Sequence, residues 1–117
     1  MEPLNDVLSS FCKIDGVKQV LVTDSTGSIL ESSGVTDLLD SPETLILNVI
    51  SLCSDIPCGY SMDDMVQSQI EFRDLNLICV PLTSGYFLSI IAGSGVNLGR
   101  IRLEIKKNKK TIESAVS

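Results

Sequence analysis

The stretch IDGVKQVLVTDSTGSILESSG, residues 14–34, holds two extended runs around a polar centre. VKQVLVTD is rich in β-branched residues and reads as a strand, and SILESS resumes an extended pattern. Between them stand Asp24, Ser25, Thr26 and Gly27. Asp opens a turn by accepting backbone N–H groups, and Gly closes one by taking a positive φ. The pair is therefore a β-hairpin with its turn at residues 24–27. A sharper reading of TDSTG is the water-activating carboxylate of an aspartyl protease. That site needs Asp, Thr or Ser, and Gly in direct succession, whereas two residues separate Asp24 from Gly27 here. Such proteases are also nearly all β, and the rest of this chain carries helical patterns. Asp24 is read as a turn residue.

Upstream, PLNDVLSSFCKI spaces Leu4, Val7, Leu8 and Phe11 as one face of an amphipathic helix, with Gly16 as its C-cap. Downstream, Ser41, Pro42 and Glu43 form a helix start: an N-cap, a residue suited to the first helical position and an acid at the positive helix end. Pro57 marks the stop. In that helix Leu45, Ile46, Val49, Ile50, Leu52, Cys53 and Ile56 span an arc of about 160° at about 100° per residue, with Leu47 outside it. The usual apolar stripe is about 100° wide. So broad an arc fits a deeply buried central helix, or a helix covered by its own sheet and by a second subunit.

VQSQIEF, residues 66–72, alternates: Val66, Ser68, Ile70 and Phe72 share one face, and Gln67, Gln69 and Glu71 the other. It reads as an antiparallel strand with one solvated face and an edge character. LICVPL and YFLSIIA are continuous apolar runs joined by TSG, hence central strands of a hairpin, with Pro81 tolerated near a strand end. Asn97 is a candidate N-cap for a last helix whose Leu98, Ile101, Ile105 and Ile112 recur on one face, with cations over the rest. Gly99 weakens the first turn of that helix. The expected fold is α+β: a single-domain α/β/α sandwich, a five-stranded antiparallel sheet with the order αββαβββα.

The 117 residues fit one domain, residues 1–117 with an ordered core of about 3–113, large enough for a hydrophobic core without staples. A hydrophobic fraction of 44% and a charged fraction of 21% are globular values. Net charge is −6 but uneven: residues 1–99 hold 13 acidic and 3 basic side chains, residues 100–117 hold 2 and 6. Nucleic-acid binding wants a broad basic face, which this distribution does not offer. No run approaches the length of a membrane span, and the acidic MEPLND start is unlike a signal peptide.

Cysteines stand at 12, 53, 58 and 79, and there is no His. Cys53 and Cys58 have four residues between them, unlike a C-x-x-C metal or redox pair. A zinc site from all four is the alternative to reduced thiols in a cytoplasmic protein, and reduced thiols is the reading adopted. IIAGSGVNLGRI places Gly93 and Gly95 between a strand and a helix, but Leu98 holds the third fingerprint position and no strand follows, so a dinucleotide loop is not expected. The expectation is of a protein that is not an enzyme, with no catalytic, cofactor-binding or metal residue.

The hairpin IDGVKQVLVTDSTGSILESSG resembles the first hairpin of the roadblock/dynein light-chain domain family: a short helix leading to GV, a strand, an Asp-x-x-Gly turn and a second strand ending in small polar residues. NLGRIRLEI is similar to the start of that family's last helix, and the order of elements agrees from about residue 3 to residue 113. The resemblance implies a platform without catalysis that dimerises through its second helix and the neighbouring edge strand, residues 42–56 and 65–72, and that binds or regulates a Ras-like small GTPase. It implies a homodimer, or a heterodimer with another roadblock protein. Interface candidates are then Leu47, Ile50, Ser54, Gln67, Gln69 and Glu71. Lys106, Lys107 and Lys110 of the last helix are candidates for docking a partner rather than for inserting into a membrane. Nothing marks Arg73 or Arg100 as an arginine finger. Alternative readings are a longin-like or profilin-like adaptor, and a small-ligand sensor. A longin domain starts with a strand and ends with two helices; a sensor needs an internal pocket.

Overall fold

The computed structural model describes residues 2–35, 40–54 and 65–116, with the side chains of Glu2, Cys53 and Ser54 outside that description. Ile56, Pro57 and Cys58 also lie outside it. The elements follow the expected order: α1 (Glu2–Cys12), β1 (Val17–Thr23), β2 (Ile29–Gly34), α2 (Pro42–Ser54), β3 (Ser68–Glu71), β4 (Leu75–Pro81), β5 (Phe87–Gly93) and α3 (Leu98–Val116). All strand pairs are antiparallel, in the sheet order β2-β1-β5-β4-β3. The α+β sandwich with one five-stranded sheet is the fold of this chain.

Alternation along the strands divides the interior in two, because successive side chains point to opposite sheet faces. Val20 and Val22 of β1, Ile78 and Val80 of β4, and Leu88, Ile90 and Ala92 of β5 face α1 and α3, whose Leu4, Leu8, Phe11, Ile101, Ile105 and Ile112 complete one core. Leu21, Leu77, Cys79, Phe87 and Ile91 face the other way and meet Ile46, Val49 and Ile50 of α2. The central strands carry apolar residues on both faces for this reason, and read as continuous runs.

Local chemistry sets most of the boundaries. Asn97 caps α3: its Oδ1 accepts from Arg100 N–H at 3.1 Å and its carbonyl from Ile101 N–H at 3.2 Å. Ser41 begins α2 through its carbonyl, which accepts from Leu45 N–H at 3.3 Å, while its hydroxyl bonds the Thr44 hydroxyl at 2.7 Å. Gly16 is not the cap of α1. The helix ends at Cys12, and Gly16, at φ +95°, turns the chain into β1, where its carbonyl accepts from Gly93 N–H at 2.8 Å.

β3 is shorter than the alternation of residues 66–72 suggests. Ser68 pairs with Cys79 and Glu71 with Asn76. One more step in that register sets Gln67 opposite Val80, and the next sets Val66 opposite Pro81. Proline has no N–H for a ladder, so pairing stops there. At the other end Phe72 N–H donates to Leu75 carbonyl at 2.7 Å and closes the turn.

Candidate interaction surfaces

Asp24 is consumed by its own turn. Its Oδ1 accepts from the Thr26 hydroxyl at 2.6 Å, Thr26 N–H at 2.8 Å and Ser28 N–H at 3.1 Å. Its carbonyl accepts from Gly27 N–H at 3.1 Å, and Gly27 sits at φ +87°. These bonds favour the ionised carboxylate, the Thr26 hydroxyl most of all, and hold its pKa below the ordinary 3.8 against the opposing effect of desolvation. A carboxylate whose folded pKa lies below its unfolded one contributes stability above about pH 4 and loses it as pH falls through the folded value. Asp24→Asn should therefore flatten the acid limb of the stability profile, with near-wild-type stability at neutral pH because Asn supplies similar turn chemistry. Urea unfolding of both proteins between about pH 2 and pH 7 checks this. Equal acid limbs would show that the turn bonds do not discriminate between the charged and neutral acid.

The glycine-rich connection before α3 is likewise occupied. Gly93 donates its N–H to Gly16, and its carbonyl accepts from Val96 N–H at 3.3 Å and from Asn76 Nδ2 at 3.2 Å. Neither Gly93 nor Gly95 takes a positive φ. Cys12 packs against the core under α1 and α3, and Cys79 lies in the core under α2. The sheet stands between the two thiols, so they cannot share one metal ion.

Of the two sheet edges, β2 is held by α1: Asn5 Nδ2 donates to Ser32 carbonyl and to Glu31 Oε1, both at 3.4 Å, and the hydroxyls of Ser9 and Ser33 lie 3.2 Å apart. β3 pairs only with β4 among the described residues, and exposed Val66 and Phe72 flank it. Such an edge is a template for a further strand.

The interface candidates fall in different places. Ile50 is 7% exposed and belongs to the core between α2 and the sheet. Leu47 is exposed on the flank of α2 nearest the β1–β2 turn, its Cβ close to where a side chain on Gly27 would begin. The Ser54 side chain lies outside the described residues. Gln69 and Glu71 are exposed and, opposite Ile78 and Asn76, point to the face that carries α1 and α3, not the α2 face. Gln67 is half-buried and precedes the ladder. Leu52, counted from periodicity as part of the buried arc, is 65% exposed and is the most exposed large apolar side chain of α2. Helical periodicity alone could not find it, because it lies at the margin of the arc.

The lysine candidates also divide. Lys106 lines a hollow between α3 and the start of β3, together with Arg102 and Lys109. Lys107 and Lys110 are exposed on α3 but are not among the residues lining that hollow. No described helix is long and apolar enough to cross a membrane.

No family model matches the chain. No curated protein matches it either. Solved structures do. Myxococcus xanthus MglB superposes with a TM-score of 0.82 at 21% identity, covering 98% of this chain and 88% of that one. A Roadblock/LC7 domain from Streptomyces avermitilis gives 0.79 at 15% identity, covering 96% of each chain. MglC from Myxococcus xanthus gives 0.69 at 12% identity, over 97% of this chain and 98% of that one. The fold is that of the roadblock domains.

Proposed function

We propose that this chain, built on the roadblock fold, is a scaffold without catalysis that pairs with a second roadblock domain and binds a Ras-like small GTPase, regulating or tethering it in the cytoplasm. The observation that carries the reading is the likeness to MglB along nearly the whole chain. It agrees with the resemblance carried by residues 14–34, whose family serves as a platform for such GTPases. The open edge of β3 and exposed Leu52 on α2 are the features that pairing would use.

The test is retention of Ras-like GTPases on the immobilised chain, with the GTPases loaded with GDP or with a non-hydrolysable GTP analogue. Retention that depends on the nucleotide is the expected result. A regulator discriminates between the two switch states only through different contacts with each. Hydrolysis and exchange assays on the retained GTPase then separate activation, exchange and tethering. No retention in either nucleotide state would overturn the reading.

A further inference from the structure

We propose that the trough between the start of β3 and α3 is a second docking surface, which takes a short acidic peptide segment with an apolar anchor, contributed by a protein partner. The inference goes beyond the GTPase reading and does not rest on it.

The trough exists because the β3–β4 ladder ends at Ser68 and Cys79. Past that point, Pro81 lacks the N–H that would draw Val66 into the sheet. Two hollows result, of about 530 Å³ and 380 Å³, and Lys109 lines both. Val80 and Ile105 form the apolar lining of the larger, and Val66, 75% exposed, stands on its rim. Arg102, Lys106 and Lys109 supply its other wall. Their spacing of four and then three residues puts them on one flank of α3. Among the described residues none of the three makes an ion pair. Glu113 lines the smaller hollow, where its Oε2 accepts Thr83 N–H at 2.8 Å from the β4–β5 turn. Lys109 thus stands between Arg102 and Lys106 on one side and Glu113 on the other.

Charge complementarity selects the occupant. The chain carries a net −6, and its first 99 residues hold 13 acidic against 3 basic side chains. An acidic segment is repelled over most of such a surface and drawn to the place where cations converge. Exposed Val66 on the rim adds a contact for one aliphatic side chain, which rewards a peptide that combines carboxylates with leucine or isoleucine. A flat lipid surface would meet the cations but not the inside of a concave trough, and α3 has no aromatic residue to insert into a bilayer.

The experiment titrates a fluorescein-labelled synthetic peptide of alternating leucine and glutamate with the full chain and follows anisotropy. Saturable binding is expected, weakening as salt rises from about 10 mM to about 150 mM. The variant Arg102→Glu, Lys106→Glu, Lys109→Glu should bind about tenfold or more weakly. A control of equal charge change, Arg100→Glu, Lys107→Glu, Lys110→Glu, should bind within about twofold of wild type at about 150 mM salt, where charges beyond a Debye length are screened. Circular dichroism verifies that both variants fold. A peptide with serine in place of leucine should bind more weakly if the apolar contact is used. Absence of binding, or equal loss in the two triple variants, would overturn the proposal. So would phosphatidylserine vesicles that bind the chain through Arg102, Lys106 and Lys109 while the peptide does not.

Discussion

Replacing Ile50 with Asp should cost the fold about 3–5 kcal/mol, and the same replacement at Leu52 about 0.5 kcal/mol or less. Both residues lie in one apolar helix, two positions apart. Ile50 is 7% exposed and shares a core with Leu21, Leu77, Phe87 and Ile91, while Leu52 is 65% exposed. A carboxylate at position 50 would be buried with no partner, a cost of about 3–5 kcal/mol. A domain of this size has about 5–15 kcal/mol in total. The expected result is loss of the cooperative thermal transition, or a large fall in its midpoint, followed by circular dichroism. At Leu52 the side chain already meets water, so the fold should change by about 0.5 kcal/mol or less. If α2 faces a second roadblock domain, as proposed, Leu52→Asp should instead lower the mass in sedimentation equilibrium from about twice 12.6 kDa toward 12.6 kDa. A wild-type chain that is already monomeric would refute the homodimer. A Leu52→Asp variant that stays dimeric would remove Leu52 from the interface, and an Ile50→Asp variant as stable as wild type would contradict the assignment of Ile50 to the core.

Gly27→Ala should destabilise the protein by about 2–5 kcal/mol, more than the same change at Gly85. Both glycines have a positive φ, +87° and +78°, where a Cβ costs about 1–2 kcal/mol. At Gly85 the added Cβ would meet nothing within 4 Å, so that strain is the whole effect. At Gly27 it would come within 2.8 Å of the Glu43 carbonyl oxygen and 3.4 Å of Leu47 Cβ. The first turn of α2 rests directly on the β1–β2 turn, and forcing them apart adds about 1–3 kcal/mol of overpacking. Urea denaturation of the two variants measures the difference. Equal losses would mean that α2 yields without cost, and that the β1–β2 turn does not position it.

The order of elements was legible in the sequence because each signal is local. Residues 66–72 alternate, residues 75–81 and 87–93 are continuous apolar runs, and Asn97 begins a helix, all of which need only neighbours in the chain to be read. The turn at 24–27 was legible for the same reason: Asp24 bonds Thr26 and Ser28, two and four residues away. The surfaces were not, because exposure depends on what lies opposite in space. Periodicity placed Ile50 and Leu52 in one arc, and the sheet beneath α2 buried the first and left the second in water. Composition marked α3 as basic, but only the gap left where the β3 ladder meets Pro81 decides that Arg102, Lys106 and Lys109 share a trough without Lys107 and Lys110. The sequence by itself determined which way each side chain points from its own helix or strand. The tertiary structure alone decided whether another element stands there to meet it, since sheet order and the end of a ladder are set by pairing between segments far apart in the chain.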